Sequence, residues 1–241
     1  MAKRRLDSLL VEKGLAESQA QAQALIMAGE VLVDGRAVSK AGTLVAGEVT
    51  ITIVAAPPFV SRGGLKLEHA LDRFGLDVSG KVAADIGAST GGFTDCLLKR
   101  GASRVYAIDV GYGQLDYHLR QDARVVVMER VNARYPVTLP EKVDLATIDV
   151  SFISVTRIIP NVAQLLKEDG YLVVLIKPQF EAKRAEVEKG GIIKSPLLHA
   201  RILGRFTAWM IEHNFRLGGL TASPILGAAG NREFLVLVKQ R

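Results

Sequence analysis

The chain has 241 residues, and a hydrophobic content of 49% fits a folded globular protein with one large domain, or one domain and a small module. The single Cys96 excludes an internal disulfide, and neither a signal-peptide pattern nor a membrane-spanning apolar run is present, so we expect a cytoplasmic protein with no membrane partner. The net charge of +6 favours a polyanionic partner, and the excess lies in residues 61–241, with 25 basic and 19 acidic residues.

The first predicted elements are two helices. Over residues 4–13, four apolar residues lie on one helical face: Leu6, Leu9, Leu10 and Val11. Ser18 is a typical N-cap for a second helix from Gln19 to Ala28, and Gly29 would end it. Short strands are then predicted at 31–33, 37–38 and 49–53, with a turn at Asp34-Gly35. Together they indicate a small α+β module.

This module resembles the S4 RNA-binding domain. The resemblance covers Arg5 through Leu15, Ala20 to Gly29 and the pattern Val31-x-Val-Asp-Gly-x-x-Val38, in that order. It implies RNA contacts, mainly to phosphates and sugars, by these candidates: Lys3, Arg4, Arg5, Lys13, Gln19, Gln23, Arg36 and Lys40. Because residues 1–60 carry no net charge, the alternative is a solvated face of a helical cap.

A proline-containing stretch separates this module from the rest of the chain. Residues 55–60 read Ala-Ala-Pro-Pro-Phe-Val, and paired prolines extend neither a helix nor a sheet. We therefore predict an S4-like domain at residues 1–56, a linker at 57–61 and a second domain at 62–241.

A small-residue loop in the second domain indicates a nucleotide-like cofactor. A predicted strand, Val82–Ile86, leads into Gly87-Ala-Ser-Thr-Gly-Gly92 and then a helix that begins near Phe93. Ser89 stands where a dinucleotide-binding loop has its second glycine. The pattern Asp-x-Gly-x-Ser-x-Gly instead resembles the loop of S-adenosylmethionine (SAM) methyltransferases. An ordinary strand-to-helix turn is the alternative.

The next strand, Arg104–Ile108, ends at Asp109, whose carboxylate can accept hydrogen bonds from ribose hydroxyls. By position, we place the adenine beside residues 129–132. The candidate cofactor-binding residues are therefore Asp85, Gly87, Ser89, Thr90, Gly91, Gly92, Phe93, Asp109, Val110, Glu129, Arg130 and Asn132.

The rest of the chain alternates strands and helices. Strands are predicted at 143–148, 171–176 and 234–238, and helices at about 155–166 and 197–213, which indicates a mostly parallel sheet covered on both faces. Asp149 and Lys177 follow two of these strands, and Glu233 precedes the last one. If the last strand is antiparallel, all three lie at the same sheet edge and face one cleft. Surface salt bridges at strand ends are the alternative.

Five motifs together resemble the hemolysin A (TlyA) family, which joins an S4 domain to an FtsJ-like methyltransferase. They are Ser61-Arg-Gly-x-x-Lys66, the loop from Asp85 to Thr94, Asp149-Val-Ser-Phe-Ile, Lys177-Pro-Gln-Phe-Glu and Gly230-Asn-x-Glu-Phe. The resemblance implies an α/β Rossmann-like fold with seven strands, the last antiparallel, and SAM as cofactor. It also implies ribose 2′-O-methylation of ribosomal RNA by Lys66, Asp149, Lys177 and Glu233, without a metal.

The chemistry explains why such residues are needed. A ribose hydroxyl is a very weak acid, so methylation requires in-line positioning and removal of the proton as the new bond forms. We predict Lys177 as the base or hydroxyl-steering group and Lys66 as the group that holds the hydroxyl or a phosphate. Asp149 and Glu233 would orient the two lysines.

Further RNA contacts are predicted at Arg62 and in a basic stretch that contains Lys183, Arg184, Lys189 and Lys194, although a solvated loop is equally compatible with that stretch. The short termini favour a cytidine of 23S over 16S RNA, hence the 50S subunit.

Three other functions fit the sequence less well than a methyltransferase does. For a membrane-active hemolysin, the chain has no recognisable insertion segment. An RNA-binding assembly factor would not need all four catalytic candidates. A nicotinamide dehydrogenase is disfavoured by Ser89 in the cofactor loop.

Overall fold

Each of two units of the chain has its own hydrophobic core. The computed structural model describes residues 3–54, 58–187, 190–227 and 229–240. The units are Met1–Pro58 and Phe59–Arg241. Pro57, the first residue of the predicted linker, lies outside the described residues, as do Ala55 and Ala56 before it.

The first unit, here called the front module, combines two helices with short strands. Its elements are β1 (Lys3–Arg5), α1 (Leu6–Glu12), α2 (Gln19–Met27), β2 (Val31–Val33), β3 (Arg36–Ala37), β4 (Leu44–Ala46) and β5 (Ile51–Ile53). Antiparallel pairing gives a sheet of order β3-β2-β5 and a separate β1-β4 pair. Ser18 caps α2 as predicted, since its side chain accepts a hydrogen bond from the Gln21 backbone N–H.

The first predicted helix is wrong at its beginning. Residues 3–5 form a strand because their backbone pairs with β4, about forty positions away, and β4 itself was not predicted. Val11 is 36% exposed, whereas Leu6, Leu9 and Leu10 are buried. A periodicity of 3.6 residues reports which face of a helix is apolar, but it contains no information on a distant pairing partner.

The front module also buries a carboxylate. Asp7 is fully buried, and its two oxygens accept hydrogen bonds from Arg5 Nε at 3.0 Å and Nη2 at 2.6 Å, and from Gln23 Nε2 at 3.0 Å. The hydrogen bond from the Arg5 guanidinium holds the pKa of Asp7 well below its ordinary value. Two predicted RNA contacts, Arg5 and Gln23, therefore support the fold of the module.

The second unit alternates strands and helices along most of its length. Its elements are α3 (Gly63–Phe74), β6 (Val82–Ile86), α4 (Gly92–Lys99), β7 (Arg104–Asp109), α5 (Tyr117–Gln121), β8 (Val125–Glu129), β9 (Val143–Ile148), α6 (Ile159–Ala163), β10 (Leu166–Ile176), α7 (Pro178–Glu181), α8 (Pro196–Glu212), β11 (Phe215–Ala222) and β12 (Phe234–Gln240).

Seven of these strands form one sheet of order β11-β12-β10-β9-β6-β7-β8. The neighbours from β10 to β8 pair in parallel, and β12 pairs antiparallel with both β10 and β11. Apolar clusters cover both faces of the sheet. This architecture confirms the predicted Rossmann-like fold with a mostly parallel sheet and an antiparallel last strand.

The predicted helix over residues 155–166 is wrong. A 3₁₀ turn occupies Val155–Arg157, α6 spans only Ile159–Ala163, and β10 begins at Leu166. Pro160 lies in the first turn of α6, where its missing N–H group is tolerated but where it cannot continue a helix from residue 155. Strand β11 and the short helix α7 were not predicted.

Candidate active site

The loop after β6 packs against the segment that follows β9. Gly87 has a left-handed backbone conformation, with φ of +84°, and its N–H group donates to Ile108 O at 2.8 Å. A Cβ atom at this position would overlap the backbone carbonyl of Asp149. Only glycine allows this approach, which brings the predicted cofactor loop beside a predicted catalytic residue.

Asp109 ties the cofactor loop to the end of β7. Its Oδ2 accepts a hydrogen bond from the Ser89 N–H at 2.8 Å, and its Oδ1 accepts one from the Gly111 N–H at 2.6 Å. Ser89 has a φ of +49°, unusual for a non-glycine residue. Gln114 contacts Ser89 Oγ through its Oε1 at 3.4 Å and was not identified from the sequence. The ribose contact of Asp109 stays a prediction.

Asp85 supports the loop from below and lines neither of the two clefts described next. It is fully buried and accepts hydrogen bonds from Thr94 Oγ1 at 2.7 Å and Thr147 Oγ1 at 2.9 Å. Burial raises its pKa to about 6, and the hydrogen bonds from the two threonines offset only part of this rise. The carboxylate thus joins β6, α4 and β9.

A cleft of about 540 Å³, here called the smaller cleft, opens beside this loop. Its lining includes the predicted cofactor residues Gly87, Ser89, Asp109, Val110 and Asn132. Apolar side chains from three segments complete one wall: Val131, Val150, Ile153 and Ile158. The cleft combines a polar loop with an apolar wall, as expected of a site for an adenine nucleoside.

Besides Asp85, three predicted cofactor residues line neither this cleft nor the larger one described below, and these are Gly91, Glu129 and Arg130. Glu129 accepts a hydrogen bond from the Gly113 N–H at 2.7 Å and pairs with Arg120 at 2.5 Å. The guanidinium of Arg130 lies 4.5 Å from the centre of the Tyr112 ring. Both side chains therefore hold the loop after β7.

A second cleft of about 790 Å³, here called the larger cleft, brings together the four predicted catalytic residues, Lys66, Asp149, Lys177 and Glu233. Its lining also contains Thr90, Gly92 and Phe93 from the predicted cofactor loop. Five residues line both clefts, and these are Gly87, Ser89, Asp149, Ser151 and Phe152. The two clefts therefore meet beside the loop after β9.

The four residues form two lysine–carboxylate pairs. Lys66 Nζ donates to Glu233 Oε2 at 2.6 Å, and both residues are buried. Lys177 Nζ lies 2.6 Å from Asp149 Oδ1 and donates a hydrogen bond to Ser151 Oγ at 2.8 Å. No described residue donates a hydrogen bond to Asp149 Oδ1, so its contact with Lys177 is chiefly electrostatic.

Sheet register explains how distant residues reach this cleft. Ile176, the last residue of β10, pairs with Phe234, the first residue of the antiparallel β12. Lys177 and Glu233 are the next residues outward along these strands, at the edge where β9 also ends before Asp149. Lys66 lies in the first turn of α3. The residues around the beginning of α3 pack closely against Gly92, since a Cβ atom on Gly92 would overlap Ser61 Oγ.

The predicted RNA contacts differ in their surroundings. Arg62 is exposed and lines the larger cleft. Lys183 and Arg184 are exposed and lie in sequence between Phe180 and Val187, which line the same cleft, and Lys189 lies outside the described residues. In the front module Lys3, Arg36 and Lys40 are exposed. Arg4 instead pairs with Glu12 at 2.5 Å, and Lys13 Nζ donates to Val49 O at 3.4 Å.

Phe152 is a site residue that sequence reasoning did not single out. It is 90% exposed, has a left-handed φ of +65° and lines both clefts. Its ring centre lies 5.1 Å from that of Phe180. An aromatic side chain this exposed is rare in a folded protein and offers a face for stacking. Its position within the motif Asp149-Val-Ser-Phe-Ile was the one sequence feature that could have identified it as a site residue.

Comparisons with known proteins show the family to which the chain belongs. The family model for FtsJ-like methyltransferases matches residues 59–240, and that for the S4 domain matches residues 4–51. Hemolysin A of Brachyspira hyodysenteriae is 45% identical, over 96% of this chain and 98% of that protein. The 16S/23S rRNA (cytidine-2′-O)-methyltransferase TlyA of Mycobacterium tuberculosis is 43% identical, over 99% of this chain and 91% of that protein.

A solved structure is also similar. A protein from Streptococcus thermophilus described as a hemolysin superposes with a TM-score of 0.76 at 42% identity, covering 100% of this chain and 89% of that chain. Within the residues that the structure describes, no helix has the length and hydrophobicity needed to cross a bilayer.

Proposed function

Since the chain belongs to the hemolysin A (TlyA) family, in which an S4 domain precedes an FtsJ-like methyltransferase domain, we propose that it methylates a ribose 2′-hydroxyl of ribosomal RNA with SAM as the methyl donor. The observation that carries this proposal is the convergence of Lys66, Asp149, Lys177 and Glu233 on one cleft. They come from four separate segments, and the cleft meets the smaller one beside Asp149.

The residues of the smaller cleft fit SAM. The glycine at position 87 lets the loop pack against the Asp149 carbonyl at the lining of the cleft, and Asp109 is available to accept further hydrogen bonds from ribose hydroxyls. Val131 and Ile153 contribute to the apolar wall for the adenine ring. When bound, SAM supplies an electrophilic methyl group on a sulfonium centre.

The larger cleft provides what the acceptor hydroxyl needs. A lysine ammonium carries three N–H donors, so Lys177 can retain its contacts with Asp149 and Ser151 and still orient a hydroxyl oxygen. Lys66 is held by Glu233 at the opposite side of the tetrad and would hold the hydroxyl or an adjacent phosphate. In-line positioning of this kind lowers the barrier to methyl transfer, and the lysine that removes the hydroxyl proton would act as the neutral amine and become an ammonium group as the new bond forms.

The charges near the larger cleft fit a polyanionic substrate. Arg62, Arg184 and Arg232 are exposed on segments that line or flank the cleft, and no described residue forms an ion pair with them. By contrast, two arginines at the edge where the parallel strands begin are paired. Arg100 lies 2.6 Å from Asp72, and Arg104 lies 2.5 Å from Glu141. Unpaired arginines can bind phosphates without first breaking an internal pair. The S4 domain would add a second RNA contact.

We propose a cytidine as the acceptor nucleotide because the related protein of Mycobacterium tuberculosis is named for cytidine methylation of both 16S and 23S rRNA. Phe152 fits this acceptor, since an exposed ring next to the catalytic lysine can stack on an unpaired base. We propose the 50S subunit as the preferred substrate, because a 36% identical protein of Campylobacter jejuni is named for cytidine methylation of 23S rRNA.

The test is transfer of labelled methyl from SAM to purified 30S and 50S subunits that lack the modification, followed by nuclease digestion and identification of the labelled nucleoside. Label on the ribose of a cytidine supports the proposal, and its distribution between the subunits identifies the substrate. Label on a base would contradict 2′-O transfer. Absence of label on either subunit, with SAM binding intact, would favour an RNA-binding assembly factor.

A further inference from the structure

We propose that Ser151 is a positioning residue that orients the Lys177 ammonium group for methyl transfer, an inference that rests on the function proposed above. The family resemblance points to four catalytic residues, and Ser151 is not among them. In the structure, however, Lys177 Nζ donates to Ser151 Oγ at 2.8 Å.

The two partners of Lys177 act differently on its ammonium group. Asp149 Oδ1 lies 2.6 Å from Nζ, but it accepts no hydrogen bond from any described residue. This contact attracts the ammonium group chiefly by charge, and charge attraction depends less on direction than a hydrogen bond does. The hydrogen bond to Ser151 is directional, since such bonds weaken steeply away from a straight donor geometry. Ser151 therefore determines where the remaining N–H groups of Lys177 point.

The loop that carries Ser151 is anchored a few residues further on, at Ser154 and Val155. The Glu181 carboxylate accepts hydrogen bonds from Ser154 Oγ at 2.6 Å and from the Val155 N–H at 2.8 Å. Burial raises the pKa of this carboxyl group. Glu181 is the last residue of α7, which begins directly after Lys177. The loop that carries Ser151 is thus tied to the element that follows Lys177.

The position of Ser151 gives this contact its importance. Ser151 lines both clefts, so its hydroxyl lies where a methyl donor in the smaller cleft and an acceptor in the larger cleft would meet. Without the hydroxyl, the flexible stem of Lys177 gains rotamers around Asp149. A displacement of about 1 Å in a positioning group can cost roughly 100-fold in rate. The loss is expected in turnover rather than in binding.

The experiment compares Ser151→Ala and Ser151→Thr with the wild-type enzyme, and Ser103→Ala is the matched control. Ser103 Oγ donates to the carbonyl oxygens of Gly80 and Lys81, next to the beginning of β7 and away from both clefts. Methyl transfer to ribosomal subunits would be followed at saturating SAM, together with the KM for the subunit, SAM affinity by calorimetry and the melting temperature.

We expect Ser151→Ala to lower kcat by about 10- to 100-fold, with KM, SAM affinity and melting temperature close to those of the wild type. Ser151→Thr retains the hydroxyl and should recover most of the loss, and Ser103→Ala should match the wild type. The inference is overturned if kcat of Ser151→Ala stays within threefold of the wild type. It is also overturned if the loss is accompanied by an equal loss of SAM affinity or a lower melting temperature, or if Ser151→Thr is as slow as Ser151→Ala. A wild-type enzyme that transfers no methyl group would instead overturn the proposed function, a result distinguishable from a slow variant beside an active wild type.

Discussion

The two ends of strands β9 and β10 carry similar lysine–aspartate pairs in very different settings. At the amino end, Lys167 Nζ lies 2.7 Å from Asp144 Oδ1, and the side chain of Lys167 is 44% exposed. At the carboxyl end, Lys177 Nζ lies 2.6 Å from Asp149 Oδ1, and the side chain of Lys177 is 13% exposed. The distances are nearly equal, so the pair alone does not define a site. Its position at the carboxyl edge of a parallel sheet, beside two clefts, does.

The largest difference between the two ends is expected when the lysine of each pair is replaced by alanine. Lys177→Ala should lower methyl transfer by about 1,000-fold or more because it removes the group that orients or deprotonates the hydroxyl. SAM affinity should stay within a few-fold. Lys167→Ala should leave the rate unchanged. Rates on ribosomal subunits and calorimetric SAM binding provide the comparison, and an active Lys177→Ala enzyme would refute the role of Lys177.

A smaller effect is expected from neutralising the two aspartates. Asp149→Asn keeps the shape of the side chain but removes the charge that holds Lys177, so we expect the turnover to fall by about 100-fold. Asp144→Asn, which changes the pair at the amino end in the same way, should retain full turnover. Equal losses in both variants would mean that they act through stability, which melting temperatures measured in parallel would reveal.

The pH dependence of stability should sharpen the comparison through Asp85, on the neighbouring strand β6. Burial raises its pKa from the ordinary 3.8 to about 6. Its contribution to stability is therefore present in full below about pH 4 and is lost as the pH rises through about 6. Between pH 5 and pH 8, the free energy of unfolding of the wild type should fall by about 1.5 kcal/mol relative to that of Asp85→Asn, which has no ionisable group at this position.

Asp144 should show the opposite dependence. Burial by itself would raise its pKa, but hydrogen bonds from Lys167 and from the Val82 N–H together lower it. Its contribution is thus present above the ordinary pKa and is lost as the pH falls through the lowered one. Urea unfolding of wild type, Asp85→Asn and Asp144→Asn at several pH values tests both signs, and parallel curves for all three would contradict them.

The smallest effect concerns the stability supplied by the exposed pair. Lys167→Ala should change the melting temperature by less than about 3 °C, because exposed ion pairs contribute little and are screened by salt. The change should shrink further at high ionic strength. A large and salt-independent loss would mean that the stem of Lys167 is important for packing.

The interior of the large sheet could be predicted well from the sequence. The predicted bounds of the strands at Val82–Ile86 and Val143–Ile148 agree with the structure. Both are short and mostly apolar, as expected for central strands that are buried on both faces of a parallel sheet. The edge strand β11 was missed because Phe215–Ala222 contains two adjacent glycines and has one buried residue among its eight.

The candidate site could be predicted in part. Lys66, Asp149, Lys177 and Glu233 were identified from motifs and from their positions at predicted strand ends, and the structure brings them to one cleft. Glu129 and Arg130 were placed beside the adenine by position only, and their side chains instead contact Arg120 and Tyr112. Ser151 and Phe152 lay within a recognised motif, but nothing in the motif indicated which way their side chains point.

The sequence by itself determined the two-part organisation, the mostly parallel sheet and the chemical types present at its carboxyl edge, because local periodicity and motif order encode these features. Only the tertiary structure decided the pairing of Lys66 with Glu233 and of Lys177 with Asp149 and Ser151. It also decided that Arg5 is engaged with a buried Asp7. Such contacts depend on the register of the sheet, on loop conformation and on burial. These three in turn depend on packing between segments that are distant in the chain.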